Sequence, residues 1–134
     1  MNMLRANDTT LSLCLITMGQ HSHLLNVVLQ SVSPQVQAAK GEVIVVGDVT
    51  GLEEHAGITQ IAFPREAGGL NRSKLRNFAA SYAKGEILLF GDDTSIMAPV
   101  NWPQRLLEWC RPIAADIAYI FGLRVVTSLS LIHI

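Results

Sequence analysis

Residues 68–94 read GGLNRSKLRNFAASYAKGEILLFGDDT, with a glycine pair at the start and two adjacent aspartates near the end. Between them, apolar side chains recur at three- and four-residue spacing from Leu75 to Ala83, which predicts an amphipathic helix. Asn71 is a suitable cap for the start of this helix, and Gly85 a suitable stop for its end. We therefore expect a helix that leads directly into the apolar residues 87–90.

The first turns of this predicted helix carry three cations, Arg72, Lys74 and Arg76. Cations at this end oppose the helix dipole, at a cost of about 0.3 to 1 kcal/mol each. An anion held there by backbone N–H groups and basic side chains would offset that cost. Gly68 and Gly69 would let the backbone approach such an anion closely. The alternative is a solvated basic helix face that binds nothing.

The apolar residues 87–90 predict a short strand that is covered on both faces, as in a parallel sheet. The strand is expected to end in an acidic loop that starts at Gly91 and contains Asp92 and Asp93. Adjacent carboxylates repel each other unless they share a cation, and Mg²⁺ and Mn²⁺ prefer such oxygen ligands. An anion site and a cation site at the two ends of one helix–strand unit together predict a metal-bound diphosphate.

Residues 68–94 resemble the central signature of family 2 glycosyltransferases, which have the GT-A fold. In that family a Gly-Leu-x-x-x-Arg-Asn helix leads into Ala-x-Gly-Glu, an apolar strand and an Asp-x-Asp-type loop. The matching pieces here are Gly69-Leu70, Arg76-Asn77, residues 83–86, residues 87–90 and residues 91–94. The loop departs from the family because it reads Gly-Asp-Asp. Either Asp93 remains as the metal ligand, or Asp92 is the first aspartate and Thr94 replaces the second.

The resemblance implies a three-layer α/β/α domain with a mainly parallel, Rossmann-like sheet of the GT-A type. It implies a glycosyltransferase that moves a sugar from a nucleotide-diphosphate sugar, a UDP-sugar above all, to an unknown acceptor. The residues expected to contact the donor nucleotide are Asp48, Arg72, Lys74, Arg76 and Asp92. Asp92 and Asp93 are expected to bind Mg²⁺ or Mn²⁺, which would stabilise the departing diphosphate.

The resembling domains continue well beyond the position of Val126. We therefore expect residues 1–126 to be the nucleotide-sugar-binding part of a domain truncated at its C-terminus, with the general base beyond Ile134 and no transfer by this chain alone. Whether the tail, residues 127–134, is native to the parent is left open. The alternative function is a catalytically inactive nucleotide-binding or interaction module. A dinucleotide-binding domain is disfavoured, because no G-x-G-x-x-G follows the first strand.

Strands and helices alternate in the rest of the chain, as in a mainly parallel α/β sheet. The predicted strands are residues 11–17, 42–47, 58–63 and 117–126. One helix is expected from about His23 to Ser33, ending before Pro34, and another from about Trp102 to Arg111. The inward-facing residues of the first of these helices are predicted to be Leu24, Val27, Val28 and Val32. Asp48 follows the second strand, where it suits either a nucleotide contact or a turn.

Composition excludes some function classes. The chain has 134 residues and a net charge of −1, which indicates neither general affinity for nucleic acid nor a disordered chain. Its only cysteines, Cys14 and Cys110, have no metal-binding spacing and are expected to be reduced, buried thiols. The N-terminus lacks the apolar core of a signal peptide, and no run reaches the roughly 20 apolar residues of a membrane span. We therefore expect a cytoplasmic protein.

Overall fold

The computed structural model describes residues 8–64, 70–92 and 101–110. The elements in chain order are β1 (Leu11–Thr17), α1 (Ser22–Ala38), β2 (Glu42–Gly47), β3 (Ile58–Ala62), α2 (Arg72–Tyr82), β4 (Ile87–Asp92) and α3 (Trp102–Cys110). The four strands form one parallel sheet in the order β3-β2-β1-β4. The predicted α/β class and parallel sheet are confirmed, and the predicted strand at 117–126 lies outside the described residues.

Helices cover both faces of the sheet. On one face α1 and α3 pack over a core that contains Leu13 and Val45. On the other, α2 packs over a second core that contains Cys14 and Ile44. Successive residues of β1 point to alternate faces and so enter alternate cores, which explains why all seven are buried. Among the described residues, no helix is both long and apolar enough to cross a membrane.

The helix α1 differs from its prediction in length and in its buried face. It continues through Pro34 to Ala38. Its buried apolar residues are Leu25, Leu29, Val32 and Val36. The predicted inward positions Leu24 and Val27 are exposed, by 40% and 54%. The turn beyond the proline buries Val36 in the core, which helps to offset the roughly 3 kcal/mol cost of a proline inside a helix.

The helix α2 begins as predicted but ends differently. Asn71 is its cap, and the Asn71 side chain accepts a hydrogen bond from the backbone N–H of Lys74 at 3.1 Å. The helix ends at Tyr82, so the prediction that Gly85 stops it is wrong. Gly85 instead lies against β1, where its N–H donates to Ser12 Oγ at 2.7 Å. A Cβ at Gly85 would lie 2.5 Å from the Ser12 nitrogen, so close approach to β1 requires the glycine.

Candidate functional site

Two predicted site aspartates lie at the carboxyl edge of the parallel sheet. The pairing of β1 with β2 ends at Thr17 and Gly47, and Asp48 follows directly. The pairing of β1 with β4 aligns Asp92 with Ile16. Since β2 and β4 lie on either side of β1, the two aspartates are about 10 Å apart across the sheet, and Asp48 lies two residues further along the strand direction. Open parallel sheets bind their ligands at this edge.

The first turn of α2 lies at the same edge. Because β3 ends at the carboxyl edge and β4 starts at the amino edge, the helix that joins them must run from the first edge to the second. Leu70, which precedes α2, packs in the same core as Met18 and Phe63, which follow β1 and β3. The positive end of the α2 dipole therefore faces the same region as the two aspartates.

The three cations of α2 are exposed but do not share one side of the helix. At about 100° per residue, Arg72 and Arg76 flank one side of the buried stripe, whereas Lys74 lies about 200° from Arg72. The opposite flank carries Phe78, whose ring meets that of Phe63 beyond β3 at a centroid distance of 5.0 Å. Because β3 and β4 are the outer strands of the sheet within the described residues, the arginines lie on the β4 side of α2.

Asp92 is the last residue of β4, so the prediction that the acidic loop begins at Gly91 is wrong. The reason is continued pairing, because Gly91 and Asp92 align with Leu15 and Ile16 of β1. Asp93, the other predicted metal ligand, lies outside the described residues. Within residues 8–64, 70–92 and 101–110, no group of three or more His, Cys, Asp or Glu could hold a metal ion.

The residue types at the end of β4 nevertheless fit a hard cation. Two neighbouring carboxylates at a strand end supply the oxygen ligands that Mg²⁺ uses when phosphate oxygens and water complete its shell. Asp92 and Asp93 are such a pair, and β4 brings Asp92 to the edge of the sheet beside the end of β1. A Mg²⁺ or Mn²⁺ site at these two aspartates stays a prediction.

The carboxylate of Asp48 is held by its neighbours. Its backbone N–H donates to the Thr17 carbonyl at 3.1 Å. Its Oδ1 accepts hydrogen bonds from the backbone N–H of Thr50, at 3.2 Å, and from the Thr50 hydroxyl. The structure thus shows the turn-forming role that the sequence allowed. The same contacts fix the orientation of the carboxylate at the sheet edge, which a ligand-binding role would also require.

The loop after β1, residues 18–20, passes close to this carboxylate. Gly19 has a φ of 86° and donates its N–H to Thr17 Oγ1 at 3.1 Å. A Cβ at Gly19 would lie 2.6 Å from Asp48 Oδ2, so a larger residue would displace the carboxylate. Gly19 is a site residue that the sequence prediction missed. A glycine just after an apolar strand was the available signal.

No family model, curated protein or solved structure matches the chain, so comparison with known proteins assigns it to no family. The function is therefore inferred from the site itself and from the sequence resemblance of residues 68–94.

Proposed function

We propose that this protein is a glycosyltransferase of the family 2 type that binds a nucleotide-diphosphate sugar, with a UDP-sugar favoured, in the presence of Mg²⁺ or Mn²⁺. The observation that supports the proposal is that Asp48, Asp92 and the basic first turns of α2 share one edge of a parallel sheet. A nucleoside diphosphate has a polar base and ribose at one end and two phosphates at the other. The site offers an acceptor group at one end and cations at the other.

In this proposal the nucleoside end of the donor lies beside β2. The Asp48 carboxylate can accept hydrogen bonds from a base or a ribose, and the two donors of Thr50 hold it in place. Gly19 lies close to the same carboxylate. This arrangement orients the donor without taking part in bond breaking.

The diphosphate end lies beside β4. Arg72 and Arg76, on the β4 side of α2, are placed to neutralise the phosphate charge, and the helix dipole acts in the same direction. Asp92 and Asp93 would hold the cation, which when bound neutralises charge on the departing diphosphate. The chemistry assigned to these residues is binding and charge stabilisation, and no residue is assigned as general base.

Titration calorimetry tests the proposal with UDP alone, Mn²⁺ alone, and UDP with Mn²⁺. We expect UDP and Mn²⁺ to bind together better than either binds alone, because the phosphates complete the cation's coordination shell. Asp93→Ala should remove this metal dependence more completely than Asp92→Ala if Gly91 occupies the family's first aspartate position. Glu108→Ala is the control, since Glu108 is an exposed carboxylate on α3, across the sheet from α2.

The outcomes separate the hypotheses. Equal UDP affinity with and without Mn²⁺ would contradict the metal coupling. A larger effect of Asp92→Ala than of Asp93→Ala would favour the alignment in which Asp92 is the first aspartate. Metal-coupled UDP binding without any hydrolysis of a UDP-sugar would favour an inactive nucleotide-binding module. No binding of UDP under any of these conditions would refute the proposed function.

A further inference from the structure

The side chain of Asn26, on α1, contacts three residues of the β2–β3 loop, which we define as residues 48–57. Its Nδ2 donates to the Gly51 carbonyl at 3.2 Å, and its Oδ1 accepts from the Glu53 N–H at 3.0 Å. His55 Nε2 lies 3.0 Å from the same Oδ1. One helix side chain thus connects α1 to the loop that begins with Asp48.

The two backbone partners fix which way the amide points. A carbonyl oxygen only accepts and an N–H only donates, so exchanging Nδ2 and Oδ1 of Asn26 would lose both hydrogen bonds. Since Oδ1 is the acceptor, His55 Nε2 must carry the proton that it donates. Asparagine is a poorer helix former than alanine. These contacts therefore give a physical reason for an asparagine in the interior of α1.

A tight turn links the Asn26 contacts to Asp48. The N–H of Leu52 donates to the Val49 carbonyl at 3.0 Å, which closes the turn 49–52. Inside this turn lies Thr50, whose N–H and hydroxyl donate to Asp48 Oδ1. The Gly51 carbonyl belongs to the same peptide group as the Leu52 N–H that closes the turn. By holding this carbonyl, Asn26 restrains the segment that orients the Asp48 carboxylate.

We infer that Asn26 is a positioning residue for the nucleoside end of the proposed site. It acts through Thr50, which keeps the Asp48 carboxylate at the sheet edge, and the inference rests on the proposed function for the identity of the ligand. The competing explanation is that Val49 and Leu52, which pack against the core between α1 and the sheet, hold the turn in place without any contribution from Asn26. The two explanations differ in what happens when the amide is removed.

The effect of removing the amide should be selective within the site. The diphosphate end is carried by β4, on the other side of β1 from the β2–β3 loop, and by the arginines on the β4 side of α2. Loss of Asn26 should therefore weaken contacts to base and ribose and leave pyrophosphate binding unchanged. A general loss of structure would weaken both ligands together.

The test compares Asn26→Ala with Gln37→Ala. Gln37 is the matched control because it is also an amide side chain on α1 that donates to the β2–β3 loop. Its Nε2 donates to the Ala56 carbonyl at 3.2 Å, at the end of the loop far from Asp48. We expect Asn26→Ala to raise the Kd of UDP with Mn²⁺ about tenfold. The Kd of pyrophosphate with Mn²⁺ should stay within about twofold, and Gln37→Ala should leave both within that range.

Amide hydrogen exchange gives a second measurement that needs no ligand. Asn26→Ala should speed exchange at the Thr50 N–H about tenfold, since opening of the turn releases its bond to Asp48. Gln37→Ala should leave exchange at Thr50 unchanged. An unchanged Thr50 rate in Asn26→Ala would overturn the inference, and so would unchanged UDP affinity or equal losses for UDP and pyrophosphate. If the wild-type chain binds no UDP, the proposed function fails, and the Thr50 exchange rate alone decides whether Asn26 restrains Asp48.

Discussion

Replacing Arg76 with alanine removes a cation from the β4 side of α2 without touching the buried stripe of the helix. Arg76 is exposed, and the buried residues of α2 are Leu75 and Ala79. Exposed substitutions away from special features usually change stability by no more than about 0.5 kcal/mol. The lost charge also lies in the half of the helix where the dipole disfavours cations. We therefore expect the free energy of unfolding to be unchanged or slightly raised.

Nucleotide binding should respond much more strongly than stability. A hydrogen bond to a charged group contributes about 1.5–3 kcal/mol, which corresponds to about a 10- to 150-fold rise in Kd. Calorimetry of UDP with Mn²⁺ measures this change directly. Lys74→Ala is the matched control, because it removes the same charge from the same helix on the side away from the arginines. Its effect should stay below about threefold at physiological salt, where remote charges are screened.

Two results would refute this reasoning. Equal losses of affinity in Arg76→Ala and Lys74→Ala, or no loss in either, would mean that the diphosphate does not lie on the arginine side of α2. A fall of more than about 2 kcal/mol in the stability of Arg76→Ala without ligand would show that Arg76 is instead a structural partner. Thermal and urea unfolding of the free protein measure that second quantity.

Two further predictions concern stability. Burial, and to a lesser extent the charge of Glu42, raises the pKa of the Cys14 thiol from 9.0 to about 12. The unfolded chain therefore loses this proton first, and stability falls as the pH rises from about 9 to about 12. Between pH 8 and pH 11, the free energy of unfolding measured in urea should fall by about 3 kcal/mol more in the wild type than in Cys14→Ala. Parallel plots of unfolding free energy against pH for the two proteins would contradict the raised pKa. Gly47→Ala should cost about 3 kcal/mol or more, because Gly47 has a φ of 135° and a Cβ there would collide with the Thr17 carbonyl. A melting temperature within about 2 °C of the wild type would contradict this steric argument.

Hydrophobic runs and caps predicted most of the fold. The bounds of β1 and β2 are as expected, because runs of β-branched and apolar residues between polar residues leave little choice of where each strand begins and ends. The cap at Asn71 was also predictable, since its side chain has a local partner. The helix α1 was harder. Because the predicted helix ended before Pro34, the prediction left out Val36, which is buried in the last turn. The remaining valines and leucines then fitted a buried face that is rotated by about one residue from the observed one.

The site was only partly predictable, for a different reason. Asp48 and Asp92 follow apolar runs, so their place at a strand end could be read from the sequence. For Gly19 the only signal was its place just after an apolar strand. Asn26 gave none, because it reaches the Gly51 carbonyl only after α1 has packed on the sheet. Helix spacing alone separates Lys74 from Arg72 and Arg76, but the side of α2 that faces β4 could be known only once the helix was placed on the sheet.

The order of the strands determines when the central strand is protected during synthesis. All seven residues of β1 are buried, yet its neighbours come from very different distances along the chain. Ser12 meets Glu42 of β2 across 30 residues, but meets Gly85, just before β4, across 73. Long closures form more slowly than short ones. A growing chain that has reached β3 but not β4 therefore exposes one unpaired edge of its most apolar strand, which is the kind of surface that recruits other chains. That edge of β1 is covered only when β4, which ends at Asp92, has paired with it.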